Sequence, residues 1–132
     1  MKETWVIKIG SSLVTKSNTG LNTKNIKSWV AQINQIINNN INVIIVSSGA
    51  IAEGMNRLGL GKRPNSSSQL QALAAIGQMG LVKAYEVAFK KYNILTAQML
   101  LTHEDLSDRT RYLNARNTLS NLIKYNTVQK YP

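Results

Sequence analysis

Val6-Ile7-Lys8-Ile9-Gly10-Ser11-Ser12 is an apolar run, interrupted by one lysine, that breaks into glycine and serine. The pattern returns about one βαβ unit later as Val43-Ile44-Ile45-Val46-Ser47-Ser48-Gly49-Ala50. Between them, Ile26, Trp29, Val30, Ile33, Ile36 and Ile37 recur at helical spacing. Asn22 or Thr23 offers a cap for that helix, which should run to about Asn39. Strand, helix and strand in this span predict a right-handed crossover between two parallel strands. Trp5 to Ile9 and Ile41 to Val46 both read as buried strands. Parallel strands that end side by side in small residues leave backbone N–H groups facing a crevice, where open α/β sheets bind ligands.

Working outward, Ser11 to Gly20 reads as a polar loop, and the Gly-rich stretch from Gly49 to Gly61 is expected to hold a short helical turn around Ile51 to Leu58. A long helix follows from about Ser67 to Lys91, with Leu70, Leu73, Ala74, Ile76, Leu81, Ala84, Tyr85, Ala88 and Phe89 as its apolar set. Gly77 and Gly80 inside it cost helix stability and read as points of close approach to a neighbour. Asn93 to Leu101 reads as a third strand and Thr102 to Ser107 as a loop. Arg109 to Lys124 reads as a last helix carrying Tyr112, Leu113, Ala115, Leu119, Leu122 and Ile123. Alternating strands and helices predict an α/β domain with a parallel sheet.

The 132-residue chain fits one domain. It has no cysteine, hence no disulfide framework and no thiolate metal site. Lys8 interrupts a short apolar run, so the N-terminus does not read as a signal peptide, and no apolar stretch has the length of a membrane span. The expectation is a cytoplasmic protein with no membrane partner. The formal charge of +10 could mean a nucleic-acid partner or a solvated lysine-rich surface. The basic residues are strung along the whole chain without interleaved aromatics, so no nucleic-acid partner is expected.

Gly59-Leu60-Gly61-Lys62 invites a P-loop reading and fails it. Asn56 stands where the first glycine belongs, and Arg63 stands where Ser or Thr belongs. The strand exits are the better site. Gly10 and Gly49 can let the backbone approach a ligand, and Ser11, Ser12, Ser47 and Ser48 can donate hydroxyls. Lys8 reads as a fixed cation for a phosphate; the alternative is an edge-strand lysine pointing at solvent. His103 reads as plain surface, and the acids Glu53, Glu86, Glu104, Asp105 and Asp108 show no metal-ligand spacing. Glu53 and Asp105 fall near the expected crevice. Transfer of a phosphoryl group to an ionised carboxylate needs positioning and charge neutralisation rather than a base, so the missing base fits such a reaction.

These residues resemble the glutamate 5-kinases, a branch of the amino acid kinase family. The resemblance is carried by Val6 to Ser12, Val46 to Gly54, Leu73-Ala74-Ala75-Ile76-Gly77-Gln78, Ala97-Gln98-Met99-Leu100-Leu101-Thr102 and Arg111 to Leu119, in register from about residue 4 to residue 125. It implies a three-layer α/β/α fold and ATP-dependent phosphorylation of the γ-carboxylate of L-glutamate, with Mg2+, at the first step of proline biosynthesis. It implies Lys8 as the catalytic contact to the ATP phosphates, with Gly10 and Ser11 beside it. It implies Ser48, Gly49 and Ala50 at the glutamate, with Asp105 in a loop near glutamate and the feedback inhibitor L-proline. The departure is the tail: after Thr127-Val128 the family continues through a strand and an Asn-Glu-Asn-Asp loop, whereas here Gln129-Lys130-Tyr131-Pro132 closes the chain. The expectation is therefore a truncated domain: residues 1–132 as the N-terminal, substrate-binding half, inactive alone, with the nucleotide-binding half and its acidic balance missing. An unpaired sheet edge would then favour a homo-oligomer. The alternatives are a non-enzymatic glutamate- or proline-binding half, a partner subunit, or another member of the family.

Overall fold

The crossover between the two quoted stretches is present in the computed structural model, which describes residues 2–16, 20–125 and 128–131. The chain opens with strand β1 (Thr4–Ile9). A single helical turn, α1 (Ser11–Val14), and a small antiparallel ribbon, β2 (Thr15–Lys16) with β3 (Gly20–Leu21), then occupy what reads as loop in the sequence. Helix α2 (Thr23–Asn38) is capped by Asn22, whose Oδ1 accepts the Asn25 N–H at 3.2 Å. It buries Ile26, Val30 and Ile33, the i, i+4, i+7 stripe of its apolar face. Strand β4 (Asn42–Ser47) then lies parallel to β1, with Ile7 opposite Ile45 and Ile9 opposite Ser47.

Gly49 stands at φ 115°, in the left-handed region, and turns the chain sharply into α3 (Ala50–Leu58). The 24-residue α4 (Ser67–Lys90) packs against it. The contact is made through glycine: a methyl group on Gly77 would land on the Ala50 carbonyl oxygen, and one on Gly54 would land on that of Leu73. The close approach expected at Gly77 is therefore to the first turn of α3. After α4 come β5 (Thr96–Gln98), the short α5 (His103–Ser107), α6 (Arg109–Lys124) and β6 (Val128–Tyr131).

The strand order is β1-β4-β6-β5, all parallel. The crossovers β1–α2–β4 and β5–α6–β6 run in opposite directions across this sheet. With right-handed connections, α2 and α6 then cover opposite faces, giving three layers. The core lies between the sheet (Ile9, Val43, Ile45), α2, and the Leu81, Tyr85 and Phe89 stripe of α4. The α6 layer is thinner. None of its residues is buried, and Ala115, Leu119, Leu122 and Ile123 form a half-buried seam.

Three expectations are corrected here. The stretch Trp5–Ile9 is not a buried strand: only Ile9 is buried, while Val6 is 64 % and Trp5 45 % exposed. The reason is topological, since β1 pairs on one side only and the core helices cover one of its faces. The third strand shrinks to three residues. The loop expected at Thr102–Ser107 is a helix, opened by a capping box in which Thr102 and Asp105 cap each other. The tail, read as a departure, supplies a strand in the middle of the sheet; Thr127 and Pro132 themselves lie outside the described residues. No described helix is long and apolar enough to cross a membrane.

Candidate functional site

The two strand exits are tied together by one backbone bond, in which the Ser48 N–H donates to the Ile9 carbonyl at 3.1 Å. Beyond it opens a cleft of about 330 Å³ whose lining includes Ser11 from the first exit and Ser48, Gly49 and Ala50 from the second. Arg63, from the loop before α4, and Gln78, from α4 itself, complete the polar lining. Strand alternation separates the neighbouring serines. Ser47 points inward at 1 % exposure, with its Oγ 3.1 Å from the Tyr85 hydroxyl, while Ser48 is exposed at the cleft. Ser47 thus packs on Tyr85 at the buried floor of the same cleft. Burial pushes the Tyr85 phenol above its ordinary pKa, and the Ser47 hydrogen bond partly opposes that.

The first N–H groups of a helix have no partner within the helix, and those of α3 begin at the cleft-lining Ala50. Arg63 is the only charged side chain among the lining residues. Hydroxyls, unpaired helix N–H groups and a guanidinium make this a place for an anion.

Gly10 needs a different account from Gly49. Its backbone is extended (φ −75°, ψ 159°), and a Cβ added to it would meet nothing within 4 Å. Neither a left-handed backbone nor protein packing demands glycine there; Gly10 is the N-cap of α1, a position glycine suits, and it leaves open space at the strand exit.

The other expected residues lie outside the cleft lining. Lys8 is exposed on the edge strand, as in the alternative reading of it. Among the described residues the ion pairs are Glu53–Arg57 and Glu104–Arg111, so Lys8 has no carboxylate partner there. Asp105 is half-buried and committed locally, its Oδ2 accepting from the Thr102 N–H at 2.7 Å and from the Thr102 hydroxyl at 3.0 Å. Those bonds hold its carboxyl below the usual carboxylate range. Glu53 is not a crevice acid. It is 7 % exposed, lies 3.7 Å from Arg57 Nε and 3.4 Å from Asn56 Nδ2, and faces Gly20 and Gly80. The sequence assigns Arg63 and Gln78 no site role: the first enters only a failed P-loop match and the second only a motif of the resemblance. A glycine in mid-helix followed at once by a polar residue was the available signal for Gln78.

The chain is 53% identical over 127 residues to a protein of Alcanivorax borkumensis described as "Glutamate 5-kinase". It is 52% identical over 124 residues to one of the same description from Hydrogenovibrio crunogenus. These matches cover 96% and 94% of this chain but 34% and 33% of the relatives, so the chain spans about a third of their length. Among solved structures, the UMP kinase of Ureaplasma parvum superposes with a TM-score of 0.61 at 18% identity, covering 99% of this chain and 55% of that one. That likeness shows the fold. The description "Amino acid kinase family" matches residues 3–129. With the parallel three-layer architecture and the cleft at its strand exits, this establishes that the chain belongs to the amino acid kinase family.

Proposed function

We propose that this chain is the N-terminal, amino-acid-binding portion of a kinase that transfers the γ-phosphoryl group of ATP to the γ-carboxylate of L-glutamate. What carries the reading is identity above half, across nearly the whole chain, to proteins described as glutamate 5-kinases. The cleft supports it: Ser48, Gly49 and Ala50 offer a hydroxyl and backbone N–H groups to an anionic amino acid. Gly10 and Ser11 sit at the neighbouring exit, where the open space over Gly10 suits an ATP phosphate. ATP supplies the phosphoryl group when bound. The chain's own residues orient the acceptor carboxylate and neutralise charge, which is most of what phosphoryl transfer asks of a protein. Lys8, two residues before Gly10 and without a carboxylate partner among the described residues, is the proposed cation for the transferring group. Asp105 keeps a looser place in the proposal, beside the amino-acid site.

Among the described residues no group of three or more His, Cys, Asp or Glu side chains could hold a metal ion. The described residues therefore offer Mg2+ no clustered set of such ligands. L-Proline is the proposed feedback ligand and the cytoplasm the proposed setting.

Titration calorimetry of the chain tests the reading. Saturable binding of L-glutamate without measurable binding of ATP is expected. Binding of ATP without L-glutamate would overturn it.

A further inference from the structure

We propose that Gln78 and Arg63 select the substrate, the Gln78 amide donating a hydrogen bond to the α-carboxylate of the amino acid and the Arg63 guanidinium pairing with that same group. The inference rests on the cleft being the L-glutamate site. Gln78 follows Gly77, whose missing side chain seats α4 on the Ala50 carbonyl and so brings Gln78 into the cleft beside Gly49 and Ala50. Gln78 Nε2 is buried and has no hydrogen-bond partner. Buried amide donors are normally satisfied, so one held at the wall of a binding cleft finds its acceptor in what the cleft binds. Arg63 lines the same cleft, and the ion pairs among the described residues do not include it. No acidic side chain lines this cleft, although Gln78 also borders a second pocket that carries Glu86.

The α-carboxylate is the group that fits. The γ-carboxylate has to attack phosphorus, and a guanidinium paired to it would withdraw the electron density the attack requires. It also has to lie toward the phosphoryl donor, at the Gly10–Ser11 exit. The wall formed by Arg63 and Gln78 is left for the other end of the molecule.

The test uses calorimetry and thermal unfolding of the full chain and three variants, Gln78→Leu, Gln78→Glu and Arg63→Ala. A hydrogen bond to a charged acceptor predicts that Gln78→Leu weakens L-glutamate about tenfold or more. Gln78→Glu should weaken it further by like-charge repulsion. L-Glutamine keeps the α-carboxylate and should lose the same factor in Gln78→Leu. 4-Aminobutyrate lacks that carboxylate and should be indifferent to Gln78→Leu and Arg63→Ala. Removing an unpartnered buried amide should leave the melting temperature of Gln78→Leu unchanged or raised. Wild-type affinity for L-glutamate in Gln78→Leu and Arg63→Ala would overturn the inference while leaving the glutamate site standing. A lower melting temperature in Gln78→Leu would overturn it by making the amide structural. Failure of the unaltered chain to bind L-glutamate would remove the glutamate site and the inference together.

Discussion

At the scale of single residues, two glycines at the strand exits do different things, and substitution separates them. Gly10→Ala should change stability by less than about 1 kcal/mol, because the narrower unfolded ensemble is offset by the poorer N-cap that alanine gives the single-turn α1. Gly49→Ala should lose about 1–2 kcal/mol, because φ 115° strains any L side chain. Denaturant titration checks both; a Gly10→Ala variant as damaged as Gly49→Ala would return Gly10 to a structural role. Lys8 belongs at this scale too. In a chimera that joins these residues to the rest of a full-length relative, Lys8→Ala should lower kcat by about 10²–10³ while changing the glutamate KM far less. Equal effects on both would make Lys8 a binding residue only. The proximity of Ser11, Ser48 and Gly49 at one cleft is legible because the two exits share a pattern. That of Arg63 and Gln78 is not, because their positions depend on how closely α4 packs on α3, which strand and helix periodicity do not encode.

At the scale of elements, the α3–α4 pair is the contact that shapes the site. Gly77→Ala should destabilise by about 1–3 kcal/mol, since the new methyl meets backbone that cannot turn aside. It should also weaken L-glutamate by moving Ala50 and Gln78. Chemical denaturation beside calorimetry checks this, and wild-type values in both would refute the packing account. Asp105 gives α5 a pH dependence. Its carboxyl is held below the ordinary range by Thr102, so the capping bonds are at full strength above the unfolded carboxylate value. They weaken as the pH falls through the lower, folded value. Amide exchange should show α5 opening there while α4 stays protected; simultaneous opening would contradict the local role. Most elements were legible from apolar periodicity: α2, α3, α4 and α6 fall within a residue or two of where spacing puts them. The α1 turn and the ribbon were not, because two- and four-residue elements carry no periodic signal. The α5 helix was signalled by Thr102 and Asp105 three apart, a cap pattern easily taken for a polar loop.

At the scale of the whole molecule, burial is lopsided. The α2–α4 side holds the core, whereas α6 buries none of its residues and β1 is an edge with Val6 and Trp5 exposed. An exposed apolar edge strand is a template for pairing with a second chain. Concentration-dependent self-association is therefore expected in sedimentation, reduced in Val6→Lys; a monomer at every concentration would exclude it. The burial imbalance is nearly hidden in the sequence, where Val6-Ile7-Lys8-Ile9 fits a buried parallel strand and only Lys8 hints at an edge. Whether such a run is central or an edge depends on strand order, which a distant segment decides: Val128–Tyr131 inserts between β4 and β5. The proposed function turns on one cleft holding one amino acid. The most direct test is an amide NMR titration of the chain with L-glutamate. Shifts should saturate and centre on Ser48, Gly49, Ala50 and the Gln78 side-chain amide; no saturable shift at those positions would contradict it.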